Sequence, residues 1–418
     1  MSNFPLKPPN SSDHSSSYSS QSPNKKAKKK HKKKMRKQEE RERVKKSREE
    51  MEQERKEVEE NLVAHEMLSR SEEFAPEKIG MLEKYCKVHY KAKKEGVEEE
   101  ELSEGETLKY EVGDKSWSAL WGASPDDDAL TKLHNEIIGF LRICGPTLRN
   151  INLRKKIFFF TKMFVKEVLP DCVIKVSGST AIMTYLTRSP IDVVLFFPNK
   201  TSSEAKNAQL LVEASKKEDW IYTCTLINGK IKNSKLVVNI CFNKGAAITV
   251  IPVFKKFLLF YPELKYLLVV IKAFLKTRGL HLAYRGGMSS FVLTILIISY
   301  LQQIKKENFD RDILLSEHLF SFFHLYGVKF NYDDLGISIR GAGEYFLRSS
   351  RDWVSKDKFH STTLCVENPQ DISIDVGKGV YKIYQVRNAF ESAYEYMRLS
   401  GPGKDSLLKD IIGDLTTI

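Results

Sequence analysis

The chain has little cysteine, six residues in 418, and none is paired as CxxC. Zinc sites need closely spaced ligand pairs, so no zinc centre is indicated. Cys86, Cys144, Cys172, Cys224, Cys241 and Cys365 are scattered, several in apolar runs, as reduced core thiols are. No secretory leader is expected at the start, because residues 1–22 are polar and Ser-rich. Long hydrophobic runs are also missing. The longest, 291–301, is too short to cross a bilayer and is expected to be a buried helix, so no membrane partner is expected. The stretch 25–37 holds ten Lys/Arg and no Asp or Glu.

That stretch carries most of the formal net charge of +13, so the rest of the chain is only mildly basic. Residues 1–24, rich in Ser, Pro and Asn, cannot bury enough apolar surface to offset chain entropy. The block at 25–37 and the mixed charge after it predict a solvated segment to about residue 60, supported by i,i+4 Glu–Lys pairs. Its chemistry suits nuclear or nucleolar import and attraction to RNA phosphates, or a soluble tail. Residues 61–116 are expected to be a linker.

Order is expected from Trp117. Ser124-Pro125-Asp126 has the form of a helix start, and the acids through Asp128 suit capping better than metal binding. Leu130, Leu133, Ile137, Ile138 and Leu141 then recur at helical spacing. A second helix is expected over 153–168. Strands are expected at 172–176, 191–197, 220–226, 236–242 and 247–253, with a helix over 203–217. From Tyr261 on the patterns are helical, notably 264–278, 289–303, 313–326 and 380–397. Strands with covering helices predict an α/β unit followed by an α-rich one.

Within the α/β stretch, Gly178-Ser179 is followed nine residues later by Ser189-Pro190-Ile191-Asp192. A Gly-Ser opening a helix directs backbone N–H groups and a hydroxyl at a phosphate. Positions 190 and 192 share one face of the strand that follows. A two-metal phosphoryl-transfer site needs carboxylates at both and a third on a neighbouring strand.

Across residues 117–397 the chain resembles the template-independent nuclear poly(A) RNA polymerases of the DNA polymerase sigma, or TRAMP-complex, type. The resemblance is carried by LHNEI (133–137) and by Gly178-Ser179 with its nine-residue gap. Further along, VVIKAFLKTRGL and RGGMSSFVL match within 267–302, followed by FFHLYGVKFNYDDLGISI (322–339) and the segment 366–397. It implies an α/β nucleotidyltransferase domain, polymerase beta-like, over 153–254. This domain is inserted into a helical poly(A)-polymerase-associated central domain (117–152 plus 255–397), with 398–418 as a C-terminal tail. It also implies Mg²⁺ or Mn²⁺ as cofactor, ATP as nucleotide, and RNA as substrate or partner. The implied complex mates are a zinc-knuckle RNA-binding protein and an RNA helicase, in the nucleus.

By the same resemblance Gly178, Ser179, Lys272, Lys276 and Ser290 would hold the nucleotide phosphates. Phe291 falls where a tyrosine usually stacks on the base, and Asp192 would be a metal ligand. Three positions depart from the pattern. Pro190 replaces the first metal-binding aspartate, Asn239 the third, and Ile374 the polar base reader before Asp375-Val376-Gly377. Proline has no side-chain ligand, and an asparagine amide cannot take a proton from an attacking hydroxyl. Asp310, Asp312, Asp333 and Asp334 lie outside the two strands and suit caps or turns. The expected function is an inactive or strongly impaired member acting as an RNA-binding or scaffold subunit in RNA 3′-end surveillance. The alternatives are an active polymerase with an altered metal site, or a subunit that binds nucleotide without turning it over.

Overall fold

The computed structural model describes residues 127–197, 203–217, 221–224, 228–231, 236–242, 245–307, 312–351, 364–400 and 406–413. The basic tail, the linker, Trp117, the expected helix start at Ser124 to Asp126, and Asp310 lie outside the described residues.

Helix α1, Ala129–Cys144, begins where the Asp128 carboxylate accepts hydrogen bonds from the Leu130 and Thr131 backbone N–H groups at 3.0 Å. Asp128 therefore caps a helix. Leu133, Ile137, Ile138 and Leu141 bury one face, while Leu130 is 43% exposed. Helix α2, Leu148–Val168, starts earlier than 153, because the Thr147 hydroxyl accepts from the Asn150 N–H and opens it.

The chain then forms β1 (Val173–Ser177), the one-turn helix α3 (Gly178–Ala181), β2 (Ile191–Phe196) and helix α4 (Glu204–Ser215). Strands β3 (Ile221–Cys224), β4 (Asn228–Ile231) and β5 (Val237–Phe242) complete a single sheet of order β1-β2-β5-β4-β3. The β2–β5 pair is parallel and the other pairs are antiparallel. The register sets Asp192 of β2 between Ser177 of β1 and Asn239 of β5. Ile157, Phe160 and Phe164 of α2 pack on Ile174, Val176, Ile191, Val193, Leu195 and Val238 of the sheet, with Leu211 of α4.

Residues 247–253, expected as a strand, are helical instead. They fall in α5 (Ala246–Thr249) and α6 (Ile251–Phe260), the latter with proline in its first turn. The β-branched run Ile248 to Ile251 favours extended chain locally. Burial at i,i+4 of Val250, Phe254 and Leu258 against the second core decides for helix. That second core therefore takes in Val250 and Phe254, together with Ile182 and Leu186, from residues before 255.

The second core is built on α7 (Glu263–Thr277) and α8 (Ser290–Glu307), both buried along most of their length. Helix α9 (Leu315–His324), running into a π-turn at Leu325–Lys329, packs beside them. The stretch after it is not wholly helical, as the pattern suggested. Two hairpins form there: β6 (Leu335–Ser338) with β7 (Glu344–Leu347), and β8 (Glu367–Asn368) with β9 (Asp371–Asp375). The β6–β7 connection turns on Gly341 and Gly343, both at positive φ. A Cβ on Gly343 would lie 2.3 Å from Gln302 Oε1, so that position requires glycine.

Helix α10 (Ile383–Leu399) and helix α11 (Leu407–Ile412) close the core. Residues 398–418, expected as a tail, thus contain a structural element: Leu408, Ile411 and Ile412 are buried. Six residues are too few for a periodic signal, and the burial comes from α1, α7 and α10.

The motif at 133–137 acts as a pair of internal caps. His134 Nδ1 accepts from the Leu315 N–H at 2.9 Å, at the start of α9. Glu136 Oε2 accepts from the Leu408 N–H at 2.9 Å, at the start of α11. Helix N-termini leave donors without intrahelical partners, so two polar residues on the buried face of α1 fix two C-terminal elements. Burial pushes the His134 imidazole down to about 4 and, together with the nearby His134, lowers His318 to about 4 as well. Between those values and the ordinary histidine range the unfolded chain binds more protons than the folded one, so stability falls as pH falls. The expected loss between pH 6.5 and 4 is about 3 kcal/mol for His134 alone. Denaturation midpoints measured across this window should drop toward acid, and less steeply in His134→Gln; a flat profile would exclude neutral capping.

Candidate nucleotide site

Three segments converge at one end of the sheet: the β1–α3 junction, the start of β2, and β5. Gly178 sits at φ +62, a conformation that glycine adopts freely. A Cβ there would lie 2.6 Å from Asp192 Oδ2, so backbone and carboxylate are in close approach. Ser179 follows in α3, and helix α8, which begins at Ser290, packs against α3.

Asp192 and Asn239 are register partners, and Asn239 Nδ2 donates to Asp192 Oδ1 at 2.9 Å. One carboxylate oxygen is thereby held by an amide and the other lies over Gly178. Burial raises the Asp192 pKa; the Asn239 hydrogen bond and the positive charges of Arg154 and Lys272 oppose that shift. Pro190 is exposed, two residues before Asp192, and contributes only its carbonyl to the local hydrogen bonding.

That carbonyl leads to a residue which the sequence reading missed. Arg154 of α2 is 2% exposed and ties down the loop leading to β2. Its Nε donates to Asn150 Oδ1 (2.9 Å), and one terminal nitrogen donates to Thr180 Oγ1 (3.1 Å) and the Pro190 carbonyl (3.3 Å). The other donates to the carbonyls of Leu186 (3.5 Å), Thr187 (3.2 Å) and Ser189 (2.6 Å). The guanidinium also lies 3.8 Å from the centre of the Tyr185 ring. Burial lowers Arg154 to about 10, opposed by Tyr185 and Asp192. In the sequence Arg154 stands beside Lys155 and Lys156 and looks solvated. Its spacing from Ile151, Ile157, Phe158 and Thr161 places it on the buried helix face, and that was the available signal.

Lys272 of α7 is also buried. Its Nζ donates to the Thr184 carbonyl at 2.6 Å, in the same loop, and burial lowers it to about 7 against the pull of Asp192. Lys276, one turn on, is half-buried; burial and the nearby Arg188 lower its pKa. The loop between α3 and β2 also holds Met183 at φ 54 with its side chain buried, a left-handed conformation that non-glycine residues seldom adopt.

The structure thus brings together Gly178, Pro190, Asp192, Asn239, Lys272 and Arg154. Ser290 is exposed at the first position of α8, and Phe291 is half-buried with its ring 5.4 Å from that of Phe254. Ile374 lies on β9 and is 44% exposed. Beside it Asp375 accepts from the Val366 N–H (3.0 Å) and the Gly377 N–H (2.8 Å), a bracing role in its hairpin. Asp333 accepts from the Tyr384 hydroxyl and Asp334 from the Asn331 amide. Among the described residues no three His, Cys, Asp or Glu side chains gather as a metal site, and no helix is long and apolar enough to cross a membrane.

This sheet, with its Gly-Ser turn and a helical partner domain, is the architecture of a nucleotidyltransferase polymerase core. A solved polymerase core of TRAMP, an RNA surveillance complex, covers 72% of this chain and 100% of its own, with a TM-score of 0.64 and 23% identity. Residues 314–373 match the sequence model of the Cid1 family poly A polymerase. Poly(A) RNA polymerase CID14 of Cryptococcus neoformans is 28% identical over 297 residues, 68% of this chain and 38% of that protein. The inactive poly(A) RNA polymerase protein Trf4-2 of Drosophila melanogaster is 27% identical over 282 residues, 64% of this chain and 68% of that one. The chain is thus similar in sequence and in fold to poly(A) RNA polymerases. It spans about half the length, or less, of the fungal relatives it matches.

Proposed function

We propose that this chain has kept the polymerase frame, has lost AMP transfer or retains it only at a strongly reduced level, and serves as an RNA-binding or scaffold subunit in nuclear RNA 3′-end surveillance. The observation that carries the reading is the state of Asp192. Two Mg²⁺ ions need several carboxylate oxygens converging on them. Asp192 is instead the lone carboxylate of its cluster, held by the Asn239 amide and facing the charges of Arg154 and Lys272. These residues do not fit a two-metal centre, and the cations around Asp192 offset the charge that would attract one.

A Gly178-Ser179 turn that opens a helix suits a phosphate, so nucleotide binding without turnover is compatible with the site. Ile374 offers no polar contact to an adenine edge, so such binding would discriminate poorly among bases. On the family resemblance set out from the sequence, the partners would be RNA, a zinc-knuckle RNA-binding protein and an RNA helicase.

The test is primer extension with oligo(A) RNA, ATP, and Mg²⁺ or Mn²⁺, with Asp192→Ala as the control. No tails above the control are expected. Tails that disappear in the control would show that the family activity survives and would overturn this reading.

A further inference from the structure

A groove of about 550 Å³ opens away from Asp192, between the C-terminal half of α6, the far half of α8 and the β6–β7 turn. Helix α8 spans from Ser290, at the nucleotide site, to Lys305 in this groove, roughly 20 Å at 1.5 Å per residue. The lining combines three cations, Lys256, Lys305 and Arg340, with the rings of Phe257, Phe260 and Tyr261, and no carboxylate belongs to it. All three cations are exposed, and none forms an ion pair among the described residues. Phe260 is 58% exposed. Lys256 Nζ lies 5.7 Å from the Phe260 ring centre and Lys305 Nζ 5.6 Å from that of Tyr261. Phe257 and Tyr261 are stacked at 6.2 Å.

The groove has a fixed floor. Gln302, 3% exposed, donates from Nε2 to the carbonyls of Ile339 (3.1 Å) and Gly341 (3.3 Å), pinning the turn that carries Arg340 to α8. Lys306 donates to the Gly343 carbonyl and holds the other side of the turn. The cations are therefore presented by elements tied to one another.

We infer that this groove is a second site, which binds single-stranded RNA: an unpaired base stacks on Phe260 or Tyr261, and Lys256, Lys305 and Arg340 pair with the flanking phosphates. The exposed Phe260 ring, beside the part-buried Tyr261 and cations that form no ion pair among the described residues, suits a ligand offering both a π-face and an anionic backbone. A duplex hides its base faces, so the ligand is single-stranded. The inference rests on the RNA-binding reading above and gives it a location.

The experiment uses the full chain and a labelled A-rich RNA 12-mer carrying 4-thiouridine. Affinity is measured across a salt series, and photo-crosslinked peptides are mapped. Crosslinks within 257–261 are expected. Phe260→Ala should weaken binding about 5- to 100-fold, in line with one lost base stack. The triple change Lys256→Glu, Lys305→Glu, Arg340→Glu should abolish those crosslinks and flatten the salt slope by about 2, for three phosphate contacts on a single strand. Unchanged melting curves would confirm that these surface variants fold. Crosslinks confined to the basic tail or to the Gly178 cleft, with affinity unchanged in Phe260→Ala, would overturn the groove and leave the RNA-binding reading standing. Absence of any RNA binding by the unmodified chain would overturn both. Retained RNA affinity with loss of binding to a partner protein in the triple variant would identify a peptide groove and also overturn the proposal.

Discussion

Replacing Arg154 with methionine is expected to loosen the nucleotide site and cost about 3–5 kcal/mol of stability, the range for removing one partner from a buried charged network. The residue serves four carbonyls of one loop, the Thr180 hydroxyl and the Asn150 amide. Methionine fills similar volume, so the cavity contribution is small and the loss is mostly polar. Buried carbonyls left without donors cost about 1–3 kcal/mol each where water cannot reach them. Asp192 also loses one of the two cations acting on it. Hydrogen exchange over residues 178–196 should accelerate well before the α7–α8 core is affected, because Arg154 touches one loop. Arg154→Lys should recover part of the loss: it keeps the charge, but a single ammonium cannot reproduce the planar fork. Exchange that accelerates equally everywhere would mean that Arg154 supports the whole molecule and not this site.

Pro190→Asp with Asn239→Asp is expected to give the site a dependence on Mg²⁺ that the proposed function denies to the unmodified chain. Without metal, the change at 239 sets a carboxylate where an amide now donates to Asp192 at 2.9 Å. Like charges at that distance repel, so the apo variant should be less stable than the unmodified chain. With Mg²⁺ at about 100 times its dissociation constant, linkage predicts about 2.7 kcal/mol of stabilisation. Thermal melts with and without Mg²⁺ measure the difference directly. A metal gained at the site is worth on the order of 4 kcal/mol in the transition state, about a thousandfold in rate, so AMP incorporation should rise by that order. Comparable Mg²⁺ stabilisation of the unmodified chain would mean that Asp192 with Asn239 already holds a metal, and would overturn the proposed function.

Much of the site was legible before the fold. The Gly-Ser turn and the strands that carry Asp192 and Asn239 lie where their apolar runs indicated, but β2 begins at Ile191 and leaves Pro190 outside it, so alternation does not pair 190 with 192 on one strand face. Arg154 was not legible, since a buried arginine is rare and its sequence neighbours are lysines. The double capping role of His134 and Glu136 was equally hidden. Their partners, Leu315 and Leu408, are distant in sequence. The run 247–253 was misread because β-branched residues express a local preference that packing overrode. The hairpins between Leu335 and Asp375 were missed because their strands are too short for a periodic signal, and α11 escaped for the same reason.

What the sequence by itself determined is chemical identity at fixed spacing: proline, aspartate, asparagine and isoleucine at 190, 192, 239 and 374, and an apolar pattern strong enough to define two cores. What only the tertiary structure decided is the company those residues keep. Asp192 is bound to an amide and lies within the field of two buried basic side chains because β1, β2 and β5 with α2 and α7 bring them to one end of the sheet. A groove of aromatics and cations exists because the end of α6, the far half of α8 and the β6–β7 turn are brought together to line it. Local spacing is written along one chain, whereas electrostatic environment depends on which distant segments are brought within a few ångströms, and burial of the whole pattern sets that.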